Sequence, residues 1–241
     1  MEEFRQMMLQ GCEELGIQLT DQQLEQFYTF YLDLVDKNKV MNLTAITDMK
    51  DAIEKHFLDS IAAVPVLSEL EPFSEVIDVG TGAGFPGIPL AIIYPQKHFV
   101  LLDSLGKRIS FVNEEAQKLG LKNCVGIHGR SEDLAHDPSY REHFDLCVSR
   151  AVANLSTLSE YCLGFIHNGG VFLPYKSGNL EEELNASKKA IFLLGGNTRK
   201  VKEFVIPGTE ISRTLVVIDK CSTTPKTYPR KAGTPSRKPL S

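Results

Sequence analysis

No tryptophan occurs in this 241-residue chain, and no apolar run approaches the roughly 18 residues that a membrane-spanning helix needs. A membrane protein is therefore not expected. Glu2 and Glu3 directly follow Met1, which leaves no room for the basic, then apolar, pattern of a secretory leader, so a cytoplasmic location is expected. Cysteine is scarce as well. Cys12, Cys124, Cys147, Cys162 and Cys221 are odd in number, scattered and without CxxC spacing, which argues against zinc and against a disulfide framework. No metal is expected, and the thiols should be reduced and mostly buried. Internal repeats and low-complexity segments are also missing.

The 42% hydrophobic content and the length suit one soluble α/β domain with an accessory segment. The net charge of −5 hides an asymmetry. Residues 220–241 hold six basic residues (Lys220, Lys226, Arg230, Lys231, Arg237 and Lys238) and no acid, so the rest of the chain has 20 basic against 31 acidic residues, −11. A basic, proline-containing tail on an acidic body suggests a local contact with a polyanion. Composition alone favours a solvated, disordered end.

The segment Val76-Ile77-Asp78-Val79-Gly80-Thr81-Gly82-Ala83-Gly84-Phe85-Pro86-Gly87 joins an apolar strand to a glycine-dense turn before a helix. Such a turn lets an adenosine ligand approach bare backbone at the carboxyl end of a strand, here Gly80, Gly82 and Gly84. Gly82, Gly84 and Gly87 also satisfy GxGxxG, a dinucleotide fingerprint that is weak alone. Asp78 tips the balance. A carboxylate there disfavours a diphosphate and is compatible with the sulfonium and ammonium of S-adenosylmethionine, directly or through water. Asp103 ends the next apolar run about twenty residues on, where ribose hydroxyls are bound, although it could instead cap the following helix.

The pattern predicts helices over residues 1–70, with Thr20 and Gln23 as a capping box. Leu24, Phe27, Tyr28, Tyr31 and Val35 form one buried face, and a further helix runs from about 48 to 64. After Pro72, strands near 75–80, 98–103, 123–128, 144–149 and 170–175 alternate with helices near 87–94, 106–119, 155–165 and 179–194. Strands near 200–206 and 212–219 flank Pro207-Gly208 as a terminal hairpin. The expected fold is a Rossmann-like α/β sheet, mostly parallel and seven-stranded, with a terminal antiparallel hairpin. The expected organisation is a helical extension (1–70), a methyltransferase domain (71–220) and a basic tail (221–241).

The loop after the fourth strand reads Ser149-Arg150-Ala151-Val152 and lacks both the Asn/Asp-Pro-Pro-aromatic motif of exocyclic-amine methylation and the Pro-Cys of pyrimidine-carbon methylation. Cys147 lies within the strand and is expected in the core. Purine N7 needs neither base nor covalent catalyst, because its lone pair is free at neutral pH. Placement and exclusion of water then suffice. Ser131 and Glu132 could bond the adenine edge, Glu132 being otherwise a helix-start acid. Arg150 could hold a base edge or phosphate in a planar fork, or form an ordinary ion pair. His56 faces either the core or the cleft, and with Arg150 it is a candidate for orienting the substrate.

Together these residues resemble the glucose-inhibited division B family, the bacterial small-subunit ribosomal RNA guanine-N7 methyltransferases. The resemblance rests on Met41-Asn42-Leu43-Thr44-Ala45-Ile46, Lys55-His56-Phe57-Leu58-Asp59-Ser60, Phe85-Pro86-Gly87-Ile88-Pro89 within the glycine block, and Asp103-Ser104-Leu105-Gly106-Lys107-Arg108. It continues through Gly129-Arg130-Ser131-Glu132, Ser149-Arg150-Ala151-Val152, Tyr175-Lys176 and the tail from Tyr228 to Pro235. The resemblance implies transfer of methyl from S-adenosylmethionine to N7 of guanine at position 527 of 16S ribosomal RNA, in the small ribosomal subunit, by an enzyme expected to be a monomer. It implies cofactor contacts at Gly80, Phe85, Ser131, Glu132 and Arg150, with Ser131 standing where the family commonly carries alanine. It also implies that the tail is ordered and faces RNA. The RNA contacts expected are Arg150, Lys176, Arg230, Lys231, Arg237 and Lys238. Two other readings stay open: a non-catalytic ribosome-assembly factor that binds the methyl donor, and an NAD-dependent oxidoreductase.

Overall fold

The computed structural model describes residues 1–150, 153–178 and 180–240. Two long helices open the chain, α1 (Glu2–Glu14) and α2 (Asp21–Met41). The expected capping box starts α2: the Gln23 N–H donates to Thr20 Oγ1 at 3.2 Å and the Thr20 N–H donates to Gln23 Oε1 at 2.9 Å. Leu24, Phe27, Phe30 and Leu34 form its buried stripe, whereas Tyr28, Tyr31 and Val35 are only half-buried. The face is thus turned from the expected one. Phenol rings at the boundary keep their hydroxyls near water, and Phe30, with no polar atom, takes the interior position.

The helix expected over 48–64 is interrupted. It consists of α3 (Met49–Ala52), a π-helical turn (Ile53–Leu58) and α4 (Asp59–Ile61), followed by α5 (Val64–Glu69). A π turn loosens the regular backbone ladder and is a recurrent feature of functional sites. Here it carries Lys55 and His56.

Strands and helices then alternate: β1 (Glu75–Val79), α6 (Gly87–Ile93), β2 (His98–Asp103), α7 (Gly106–Lys118), β3 (Cys124–His128), α8 (Ser131–Leu134) and β4 (Phe144–Ser149). They continue as α9 (Leu155–Cys162), β5 (Ile166–Lys176), α10 (Glu181–Leu193), β6 (Gly196–Val205), β7 (Ser212–Lys220) and α11 (Thr234–Arg237). The sheet order is β3-β2-β1-β4-β5-β7-β6. Strand β7 runs antiparallel to both β5 and β6, so the hairpin expected at the end of the domain inserts its second strand into the sheet. The edge strand β6 begins about four residues before its expected start. Its side chains are mostly exposed, which leaves little hydrophobic alternation to read.

Successive residues of the strands feed opposite faces. Val76, Leu101 and Leu146 join the core that includes Phe4, Phe27, Phe57 and Phe111, so the N-terminal helices pack directly on the sheet. Ile77, Leu102 and Cys147 join the opposite core with Leu158, Phe165 and Phe172. Cys147 is accordingly core. Cys12, Cys147 and Cys162 are buried, Cys124 is half-buried and Cys221 exposed, and all five are free thiols.

Beyond β7 the chain is tied down along the α8–α9 side. Arg141 donates to the carbonyls of Thr224 at 2.7 Å and Tyr228 at 3.1 Å, and Thr157 Oγ1 donates to Pro235 O at 3.0 Å. Lys220, grouped with the basic tail from sequence, is the last residue of β7; its ammonium is fully buried and donates to Glu142 at 2.9 Å and to two carbonyls. Arg230 is likewise drawn inward. Its guanidinium makes a forked pair with Glu160, whose carboxylate is fully buried, at 2.7 and 2.9 Å, and its backbone N–H donates to the same carboxylate. A carboxylate there, remote from water, requires a planar two-donor partner.

Arg230→Ala is expected to lower stability by about 3–5 kcal/mol in urea denaturation, because it strands a buried carboxylate. The exposed neighbour Lys231→Ala should cost under about 0.5 kcal/mol. Equal effects of the two would contradict the anchoring role.

Candidate active site

Parallel pairing brings the carboxyl ends of β1, β2 and β4 to one edge. Val79 lies beside Leu102, and Ser149 Oγ donates to the Val79 carbonyl at 2.7 Å. The chain order reverses between β1 and β4, the switch point at which open α/β sheets bind ligands. The glycine turn folds over this edge. Gly80, Gly82 and Gly84 all have positive φ, and at Gly84, with φ of 97°, a Cβ would stand 2.5 Å from Ile88 Cδ1. Gly87 is needed for closeness: a Cβ there would lie 2.8 Å from Asp78 Oδ2 and 2.6 Å from Leu101 Cγ.

Asp78 does not line the cleft above this edge, where the sequence reading expects it to meet the cofactor. It is fully buried beneath the turn, where Oδ2 accepts from Thr81 Oγ1 at 2.6 Å and from the Gly87 N–H at 2.8 Å. The carboxyl thus pins the turn to the first amide of α6. Burial pushes its pKa up to about 7, against the opposing pull of the Thr81 and Gly87 bonds and of Arg150.

A cleft of about 600 Å³ opens above the edge, lined in part by Gly80, Asp103, Ser131, Glu132, Tyr161 and Arg150. Of the expected cofactor residues, Gly80, Asp103, Ser131, Glu132 and Arg150 therefore meet in one place. Asp78, Gly82, Gly84 and Phe85 do not line it and shape it from behind. Asp103 accepts from the Gly82 N–H at 2.9 Å through Oδ2 and from the Leu105 N–H at 2.9 Å through Oδ1, so it braces the turn and the start of the α7 region together. Ser131 Oγ donates to the Tyr161 carbonyl at 2.7 Å, which fixes the half of the cleft opposite Asp103.

A second cleft, about 540 Å³, adjoins the first and is lined in part by Lys55, His56, Asp59, Arg150, Lys176 and Arg213. Arg150 belongs to both. Its Nη1 donates to Asp59 Oδ2 at 3.0 Å and to the Lys55 and His56 carbonyls of the π turn at 3.2 and 3.4 Å. Arg213 binds the same carboxylate from β7, Nε to Oδ1 at 3.0 Å and Nη2 to Oδ2 at 3.3 Å. The Arg150 guanidinium lies 5.2 Å from the centre of the Phe85 ring, and Phe85 stacks on His56 at 4.6 Å. His56 is bonded at Nε2 to Thr44 Oγ1, 2.8 Å, while its buried Nδ1 has no partner among the described residues. Burial, then Arg150, lowers its pKa to about 4, so the ring is neutral at pH 7. Lys176 donates to Glu183 at 2.7 Å and to the Ala153 carbonyl at 2.8 Å. Ala151 and Val152, quoted with Arg150 from sequence, lie outside the described residues.

Sequence reading missed Asp59 and Arg213, which orient Arg150, and Tyr161, which walls the first cleft. Asp59 had a readable signal. It sits three residues after His56 and is the one charged residue in the stretch from Phe57 to Val64, where a carboxylate calls for a cationic partner. Arg213 had none, since only the insertion of β7 beside β5 brings it to the site.

A sequence model of the family described as rRNA small subunit methyltransferase G, GidB, matches residues 22–215. A protein of Lachnoclostridium phytofermentans named Ribosomal RNA small subunit methyltransferase G is 47% identical over 232 residues, 96% of each chain. One of the same name from Alkaliphilus metalliredigens is 44% identical over 238 residues, 99% of each. Among solved structures, TrmN from Thermus thermophilus superposes with a TM-score of 0.51 at 16% identity, covering 70% of this chain and 53% of its own. The branched-chain polyamine synthase of the same organism gives 0.54 at 13% identity, over 69% and 56%. At such identities these two likenesses concern the fold.

The buried Asp78 gives a pH signature. Its folded pKa, about 7, stands above the unfolded value of about 3.9, so its contribution to stability is complete below pH 4 and is lost as pH rises to 7. Asp78→Asn keeps a carbonyl acceptor for Thr81 and Gly87 and cannot ionise. The wild type should therefore lose thermal stability relative to this variant between pH 4 and 7, with the difference flat above. A constant difference in Tm across that range would show that Asp78 titrates normally.

Proposed function

The chain belongs to the rRNA small subunit methyltransferase G family, and from that membership we propose that it transfers methyl from S-adenosylmethionine to N7 of guanine 527 in 16S ribosomal RNA. The transfer is a direct in-line attack, with no covalent enzyme intermediate, on the small ribosomal subunit in the cytoplasm. The observation that carries this reading is the position of Arg150, shared by two adjoining clefts and locked by Asp59.

The first cleft fits the methyl donor. Its volume suits a nucleoside-sized ligand, Asp103 stands at the strand end where ribose is bound, and Glu132 offers a carboxylate to an adenine amine. A dinucleotide fits less well. Its diphosphate would seek the first amide of α6, which already donates to Asp78. The bound donor supplies a methyl group on cationic sulfur.

N7 brings its own lone pair and no proton, so the chain is spared general-base work. His56 is neutral, with Nε2 held by the Thr44 hydroxyl, and Cys147 is sealed in the core. What remains is orientation. The Arg150 fork, fixed by one carboxylate and two carbonyls, can donate to the guanine O6 or to the nucleotide phosphate, while Phe85 supports it from behind. Lys55, Lys176 and Arg213 line the second cleft and supply positive charge toward the RNA backbone. Lys231, Arg237 and Lys238 are exposed on the tail and extend that contact, whereas the guanidinium of Arg230 is committed to Glu160.

Purified protein given labelled methyl donor and small subunits from cells lacking this chain should label 16S RNA at N7 of a single guanine. Arg150→Ala should lower kcat/KM on the order of 100-fold, the scale of a lost positioning group. No label in 16S RNA across a range of salt and magnesium would defeat the assignment; binding of RNA with no transfer would favour an assembly factor.

A further inference from the structure

The first cleft has a wall that the glycine turn and the strand ends do not provide. Gly233 and Ser236, from the C-terminal segment, line it together with Glu132 and Tyr161. The Gly233 N–H donates to Glu132 Oε1 at 2.9 Å, and Glu132 Oε2 has no hydrogen-bond partner among the described residues. Gly233 is held in a left-handed conformation, φ 77°, and its carbonyl in turn accepts from Arg237 Nε at 3.1 Å and Ser236 Oγ at 3.2 Å. Two anchors fix this strap from either side: Arg230 on the buried Glu160, one residue before Tyr161, and the Pro235 carbonyl on Thr157.

We propose that residues 233–236 form a cofactor-binding strap that closes the adenosine end of the cleft and positions Glu132 for the adenine edge. The inference rests on the methyl donor occupying this cleft. One oxygen of Glu132 is spent on the strap, which fixes the carboxylate plane and leaves the other oxygen as the acceptor for an amine. A cofactor reaching that oxygen therefore lies beside the strap amides. Exchange of the product thioether requires the strap to loosen, and cofactor binding tightens it.

The experiment is calorimetric titration of the full-length protein with S-adenosylhomocysteine. Ser236 is exposed and, among the described residues, its hydroxyl contacts only the Gly233 carbonyl and the side chain of Tyr161, so Ser236→Trp should keep its Tm within a few degrees while filling the cleft and weakening the ligand about tenfold or more. Hydrogen exchange on the wild type gives a readout that needs no variant: the amides of Gly233, Thr234, Ser236 and Arg237 should gain protection when S-adenosylhomocysteine binds. Wild-type binding with unchanged affinity in Ser236→Trp and no added protection of the strap would overturn this inference alone. No binding by the wild type would overturn the cofactor assignment of the cleft, and the strap with it.

Discussion

The carboxylate of Asp59 is the point on which the site turns. It is 2% exposed, and it takes Arg150 from the end of β4 and Arg213 from the inserted strand β7. Three parts of the chain far apart in sequence meet at one anion: the π turn, the parallel sheet and the antiparallel strand. A carboxylate so far from water is tolerated because two guanidiniums surround it, and the arrangement keeps a net positive charge at the border of the two clefts. Without the acid, two arginines would repel one another, and Arg150 would lose the constraint that makes it useful. The π turn completes the hold, since its Lys55 and His56 carbonyls accept from the same nitrogen of Arg150.

Three buried acids do three different jobs because their surroundings differ. Asp59 has cations and stabilises orientation. Glu160 has a cation from the tail and fixes where that tail runs. Asp78 has only a hydroxyl and an amide in direct contact, and its pKa rises accordingly, yet those two bonds are what holds the glycine turn against α6. The electrostatic argument for a cationic cofactor survives in altered form. Asp78 does not line the cleft, but it occupies the helix amide that a diphosphate would need.

Much of the fold was legible from the sequence because it rests on local signals. The apolar runs of β1, β2 and β4 and the Thr20 capping box are set by periodicity and short-range hydrogen bonding, and they lie where expected. Glycines and an acid at the ends of strands marked the cofactor side, and five of the nine residues named for it line one cleft. The rest depended on distant pairing. That Asp78 points inward follows from the turn closing over it, that Arg213 reaches the site follows from β7 entering the sheet beside β5, and that Arg230 turns from solvent follows from a partner 70 residues away. Spacing along the chain encodes none of these.

Under the proposed function, the pairing of the cations also bears on how a chain with a body of net charge −11 would engage RNA selectively. At the mouth of the second cleft each cation already faces a carboxylate: Lys55 pairs with Asp51 at 2.7 Å and Lys176 with Glu183 at 2.7 Å, while Arg150 and Arg213 share Asp59. Such a site offers little to a stray polyanion, because each phosphate must compete with a carboxylate already in place. Among the described residues no carboxylate pairs with Lys231, Arg237 or Lys238 on the tail. Those three supply the unsatisfied charge that counterion release rewards. Under the proposed function, non-specific attraction would fall on the tail residues that flank the strap, while the arginine-lined cleft would gain affinity only when a nucleotide enters deeply enough to replace the existing partners. On that reading docking and recognition would be separated in space, and the acidic body, by repelling RNA elsewhere, would favour arrival at the face that carries the two clefts.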